Sequence, residues 1–154
     1  MLFGGENMAT KEAEYLARWE EFERTDSHSP VQGMMGVKLV SLTPTALTME
    51  LTDAVRGAAP GSIHGGLLAT FADTASPVAL WNAFEPEAEI PVTTDMHVRY
   101  YRQPQSGPLT AEATVVHRGR RLLSTECSVS DAAKRVLARS TATYMIVPGG
   151  VTAR

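Results

Sequence analysis

The sequence predicts an α+β fold in which an antiparallel sheet packs against one long buried helix. Three observations predict it. Residues 65–82 have the length and composition of a helix, yet Gly57 to Phe84 contains one formal charge, Asp73. Two strand-like runs precede that helix and four follow it. The connections between the later runs are short and rich in Gly and Pro, which favours antiparallel neighbours.

Residues 9–24 (ATKEAEYLARWEEFER) place Tyr15, Leu16, Trp19 and Phe22 at helical spacing among Glu and Arg. This predicts an amphipathic helix on the outside of the core. SHSPVQGM then breaks the pattern. Strands are expected near 34–41 and 45–52 across the turn Thr43-Pro44. GAAPG, residues 57–61, reads as a loop. In the helix that follows, Leu67, Leu68, Phe71, Ala75, Val78 and Ala79 form one apolar face. The opposite face holds Asp73 with Ala69, Thr70, Ser76, Pro77 and Leu80. A helix this poor in charge needs cover on both sides, one side from its own sheet and the other most simply from a second subunit. Strands at 91–101, 109–118, 121–130 and 134–147 complete the reading as a four-strand meander.

Composition narrows the function. The 154 residues suit one domain, and 44% hydrophobic with 20% charged is globular usage. No apolar run is long enough to span a bilayer, and the first residues carry no secretory pattern. A single cysteine, Cys127, cannot form an internal disulfide, so the expected location is cytoplasmic. There is no HExxH, CxxC or GxSxG, so neither a metal site nor a serine-hydrolase elbow is expected. The net charge of -3 argues against nucleic acid as a partner. Residues 1–98 hold 5 basic and 14 acidic side chains, and residues 99–154 hold 9 and 3. The positive C-terminal part fits either charge matching between subunits or a site for a phosphorylated ligand.

Three groups of residues stand together: His64-Gly65-Gly66, then Ala72-Asp73 with the acid nine residues after the histidine, then Thr93-Thr94-Asp95-Met96 opening the next strand. With the ending Ala138 to Tyr144, this pattern resembles the hot-dog fold, in which a curved antiparallel sheet wraps a central helix. More narrowly it is similar to the phenylacetate-pathway (PaaI-like) branch of acyl-CoA thioesterases, akin to the 4-hydroxybenzoyl-CoA thioesterase type. The resemblance spans about residues 33–147. It implies an N-terminal helical extension at 1–30, a hot-dog domain at 31–148 and a tail at 149–154. It also implies an acyl-CoA substrate, no membrane partner and no cofactor beyond the coenzyme A of substrate and product. Such proteins form homodimers that pair into tetramers. One departure is visible: similar thioesterases place Asn or Gln six residues before the histidine, and here that position is Ala58.

Residue chemistry fits the resemblance. The backbone N–H groups of a His-Gly-Gly turn at a helix start are free to meet developing negative charge, and Gly65 lets a carbonyl oxygen approach closely. A tight turn into a helix would use the same glycines. Asp73, without a basic residue within a helical turn, is a candidate general base or nucleophile rather than half of a salt bridge. Thr93 is placed to bond the water or the carboxylate, and His64 to bind the thioester carbonyl or hold the turn. Cys127 is expected to be buried and inert. The turn His117-Arg118-Gly119-Arg120-Arg121, with Leu122, concentrates charge suited to phosphate. The resemblance assigns it, with Gly66 and Tyr100, to coenzyme A; a solvated hairpin is the alternative. Two other functions fit the same residues: a hydratase or dehydratase using His64 and Asp73 as an acid/base pair, and a non-catalytic acyl-CoA-binding protein. The acyl group cannot be read from the sequence.

Overall fold

A computed structural model describes residues 8–24 and 30–149. Its elements run α1 (Met8–Arg24), α2 (Pro30–Met35), β1 (Lys38–Leu42), β2 (Thr45–Met49), α3 (Gly65–Val78), β3 (Glu89–Tyr100), β4 (Leu109–Arg118), β5 (Leu122–Ser130) and β6 (Val136–Pro148). The six strands form one antiparallel sheet in the order β1-β2-β4-β5-β6-β3.

One sequence expectation is corrected by that order. β4, β5 and β6 form a meander, but β3 pairs with β6 along its length and not with β4. The connection over 101–108 is too long for a tight hairpin, so it carries the chain across the sheet instead. Asp131, in the β5–β6 turn, anchors this crossover. Its carboxylate accepts the N–H of Gln105 at 3.4 Å, as well as those of Ala133 and Arg135 in its own turn.

The sheet face opposite solvent packs on α3. Leu68, Phe71, Ala72, Ala75 and Val78 of the helix share one core with Leu47, Leu109, Ala111, Ala113, Cys127 and Val129 of the strands. The one- and two-atom side chains of Ala72, Ala75, Ala111, Ala113 and Cys127 suit a close approach of helix and sheet. Burying a Phe or Leu here contributes about 1.5–3 kcal/mol each.

The helix ends at Val78, four residues before the expected end. Pro77 lacks an N–H and cannot continue the ladder. Leu80 and Trp81 then close i→i+3 turns on Pro77 and Val78, and Ala83 on Leu80. The two helix faces also divide differently from the sequence expectation. Ser76 and Leu80 are already buried within the chain. What stays partly open is a narrower stripe, Gly66, Ala69, Thr70, Asp73 and Pro77, at helical spacing.

α1 lies against this core through Tyr15 and Trp19. Tyr15 stacks at a tilt on Trp81, ring centroids 6.4 Å apart. Ion pairs from Lys11 to Glu85 and from Arg18 to Glu87 tie α1 to the segment before β3. Leu16 is exposed; the side chain of Phe22 lies outside the described residues. The stretch expected only to break α1 contains a second short helix, α2, which buries Met35.

Candidate active site

The loop before α3 is shaped for a helix start. Gly61 sits at φ +73°, where a side chain would be strained. The loop is braced from two sides: Ile63 N–H donates to Gln103 Oε1 at 2.9 Å, and His64 N–H to Val55 O at 3.1 Å.

His64 is the N-cap. Its Nδ1 accepts the Gly66 N–H at 3.0 Å, and its carbonyl accepts from Leu67 and Leu68. The neutral ring therefore carries its proton on Nε2, which points away from this bond. With those three groups engaged, the Gly65 N–H meets no acceptor among the described residues. Its surroundings are open: a Cβ built on Gly65 would lie 3.7 Å from Tyr100 Cε1, an ordinary contact. Tyr100 thus stands beside the His-Gly-Gly turn, half exposed at 52%.

Asp73 lies two turns further along α3. Thr93 Oγ1 and Tyr144 Oη both donate to its Oδ1, each at 2.9 Å. Oδ2 has no protein donor among the described residues. Thr93 and Tyr144 are direct partners across the β3–β6 ladder. A bulge at Thr94, whose hydroxyl bonds Thr143 O at 3.0 Å, shifts the register just beyond Thr93. Such bulges re-aim a neighbouring side chain. Burial, then the nearby charge of Asp73, push the Tyr144 phenol above its ordinary value. Tyr144 therefore stays a proton donor and orients the carboxylate rather than sharing its proton chemistry. Sequence reasoning missed Tyr144 as a site residue. Only its inward place on β6, with Ser140 and Ala142, was a signal, and that marks core as readily as site.

Gly65 and Asp73 are eight residues apart on one helix, so they lie about 12 Å apart along its axis. A reacting carbonyl needs its oxyanion donor and its nucleophile both within roughly 3–3.5 Å. One copy of α3 cannot supply both to one thioester.

The β4–β5 hairpin sits toward the other end of α3 from Gly65, as Arg118 donates to Asn82 just past the helix. His117, Arg118, Arg120, Arg121 and Leu122 are exposed. Arg120 and Arg121 make no ion pair among the described residues. Gly119 is required by the turn, because a Cβ there would fall 2.7 Å from the Leu122 carbonyl. The structure brings His64, Gly65, Gly66 and Tyr100 together at one end of α3 and Asp73 with Thr93 further along it. It does not bring the hairpin to Gly65 within one chain.

Cys127 is buried in the core, and its thiol is pushed up to about 12 by burial and then by Glu112. It is no nucleophile. Ala58 is exposed in the loop and offers no side-chain hydrogen bond. Among the described residues no helix is long and apolar enough to cross a membrane, and no cluster of His, Cys, Asp and Glu is arranged to hold a metal.

Comparison with known proteins places this geometry in a family. Residues 60–138 match the model of the thioesterase superfamily. A relative named 1,4-dihydroxy-2-naphthoyl-CoA hydrolase, from Listeria monocytogenes, is 25% identical over 118 residues, covering 75% of this chain and 94% of its own. A thioesterase family protein from Silicibacter pomeroyi shares the fold with a TM-score of 0.73 at 24% identity, over 93% of this chain and 100% of that one. A Streptococcus mutans protein solved with acetyl CoA bound shares it with a TM-score of 0.64 at 23% identity, over 73% and 89%. The chain belongs to the thioesterase superfamily: it is a thioester hydrolase with a hot-dog fold.

Proposed function

We propose that this chain hydrolyses an acyl-CoA to the free acid and coenzyme A, in the manner of the PaaI-like branch, with Asp73 as the reacting carboxylate. The observation that carries the proposal is the clamp on Asp73. Two donors fix one oxygen and leave Oδ2 presented on the partly open stripe of α3. Oδ2 either takes a proton from water as water adds to the carbonyl carbon, or adds to that carbon itself. In the first route the C–S bond breaks and Asp73 passes its proton to the departing thiolate. In the second the C–S bond breaks to leave a mixed anhydride on Asp73, which water then hydrolyses to the free acid, freeing the carboxylate and supplying the proton that turns the thiolate into the thiol. The Gly65 N–H, at the positive end of α3, receives the charge that develops on the carbonyl oxygen.

Because Gly65 and Asp73 of one helix stand about 12 Å apart, the working unit is a dimer, with Gly65 of one copy facing Asp73 of another. Two features support it. The stripe Gly66, Ala69, Thr70, Asp73 and Pro77 is uncharged apart from the acid. β3 is a 12-residue strand at the end of the sheet, with an unpaired edge and exposed Val92 and Tyr100. A long open edge of this kind is usually covered, most simply by a second copy of itself. The further pairing of dimers into tetramers belongs to the same proposal, as does a cytoplasmic setting. In this arrangement Tyr100, Gly66 and the His117–Leu122 hairpin hold the coenzyme A, the arginines meeting its phosphates.

The relatives fit an acyl-CoA substrate, since one is named for a naphthoyl-CoA and another was solved with acetyl CoA. Thiol release from a panel of acyl-CoAs tests the proposal, with sedimentation at assay concentration. Hydration of enoyl-CoA, tight binding without turnover, or a fully active monomer would each overturn part of it.

A further inference from the structure

A cavity of about 800 Å³ lies between α1, the end of α3 and the start of β3. Tyr15 and Trp19 of α1 wall one side, Thr74 and Pro77 of α3 another, and Phe84 and Ile90 a third. We propose that this cavity receives the acyl group, that its N-terminal helix sets the acyl preference, and that it takes a large apolar acyl group rather than a short one. This rests on the thioesterase reading above.

The position follows from the helix. Thr74 is the residue after Asp73, and Pro77 lies four residues beyond Asp73 on the same face, about 6 Å along the axis. On the strand side, Pro91 also borders the cavity and shares a strand face with Thr93, the donor to Asp73. An acyl chain whose carbonyl carbon sits at Asp73 therefore enters the cavity by running toward the C-terminal end of α3.

The chemistry of the wall sets the class of ligand. Its body is aromatic or aliphatic. The charged residues that border it are already engaged: Arg18 is paired with Glu87, and Glu21 with Arg24. A carboxylate or phosphate would have to break such a pair. The volume falls in the range of sites that enclose drug-sized ligands, and an acetyl group would leave most of it to water. A saturated chain and a fused aromatic ring share the required chemistry. α1, which supplies Tyr15 and Trp19, lies outside the 60–138 segment that matches the family model.

The test compares butyryl-, dodecanoyl- and 2-naphthoyl-CoA with wild type, Ile90→Trp and Trp19→Ala. Ile90 is 41% exposed, so a larger side chain there can enter the cavity without overpacking the core. Wild type should favour at least one large substrate over butyryl-CoA by 100-fold or more in kcat/KM, since each buried methylene is worth up to about fourfold. Ile90→Trp should cut that preferred substrate at least about tenfold and change butyryl-CoA less than about twofold. Trp19→Ala should reduce the same preference by removing wall surface. Which large substrate wins separates chain from ring. A wild type indifferent to acyl size, or variants that lower all three substrates equally, would overturn the acyl pocket while leaving thioester hydrolysis standing. Calorimetric binding of the uncharged probes 1-dodecanol and 2-naphthol separates the other failure. If no ester is hydrolysed, binding of either probe by wild type that Ile90→Trp weakens tenfold keeps the cavity as an apolar-acyl site, and no binding removes it.

Discussion

Thr93 and Tyr144 face each other across the β3–β6 ladder and both donate to the same oxygen of Asp73, at 2.9 Å each. Two strands thus meet one helix at a single atom, and the second carboxylate oxygen takes no protein donor among the described residues. Tyr144→Phe removes one donor and keeps the ring that fills the core. We expect kcat to fall roughly tenfold, with KM little changed, because a misoriented carboxylate weakens only the reacting state. Stability should fall by about 1 kcal/mol, the ordinary worth of one hydrogen bond. Steady-state kinetics beside thermal unfolding checks both numbers. A variant that loses stability and keeps kcat would make the bond structural.

Gly65→Ala should fold normally, because the added methyl meets only Tyr100 at van der Waals distance. It should still lose at least about tenfold in kcat/KM, since the methyl stands where a carbonyl oxygen must approach the N–H. Mixing this variant with Asp73→Asn under exchange conditions tests the shared site. Hybrid dimers contain one doubly defective site and one intact site, so the activity of the mixture should rise several-fold above the sum of the two variants measured separately. No rise on confirmed exchange would mean that both groups act within one chain.

Replacing Arg120 and Arg121 with Ala should raise KM for acyl-CoA with kcat unchanged, because these side chains are assigned to remote phosphates. The effect should shrink at high salt, where exposed charges are screened. It should vanish for a truncated thioester without the nucleotide. Equal loss on full-length and truncated substrates would assign the arginines to the fold.

Asp131 gives a prediction about stability alone. The hydrogen bond from Arg135 holds its carboxyl at about 2, below the ordinary 3.8. The unfolded chain therefore takes up this proton at a higher pH than the native one does. The resulting stabilisation is complete above about pH 4 and is lost as pH falls through about 2. Asp131→Asn should lower the melting temperature at neutral pH and flatten its decline between pH 4 and pH 2. Parallel thermal melts of the two proteins across that window check it. An unchanged slope would show that the turn between β5 and β6 does not depend on the charge.

Much of the site was legible because it rests on local signals. A helix without charge other than Asp73, begun by His64-Gly65-Gly66, announces both its burial and its exceptional residue. β4 was legible to the residue, since Pro108 and Gly119 bound it on either side. What could not be read depends on long-range register. The pairing of β3 with β6 follows from where the 101–108 crossover lands, and no local pattern encodes that. Tyr144 reaches Asp73 only because β6 lies beside β3 and Thr94 bulges, so its sequence context reads as core. The cavity beside α1 arises from three segments distant in sequence, and the periodicity of Tyr15 and Trp19 says only that they face inward.

The most direct measurement is thiol release from acyl-CoA by wild type and by Asp73→Asn at matched concentration, with circular dichroism to confirm the fold. Asn keeps the shape of the side chain and can accept from Thr93 and Tyr144, but it is neither a base nor an anionic nucleophile. Wild type should hydrolyse acyl-CoA, and Asp73→Asn should lose at least about 10³-fold in kcat while remaining folded. A folded Asp73→Asn protein that hydrolyses acyl-CoA at near the wild-type rate would contradict the catalytic role of Asp73.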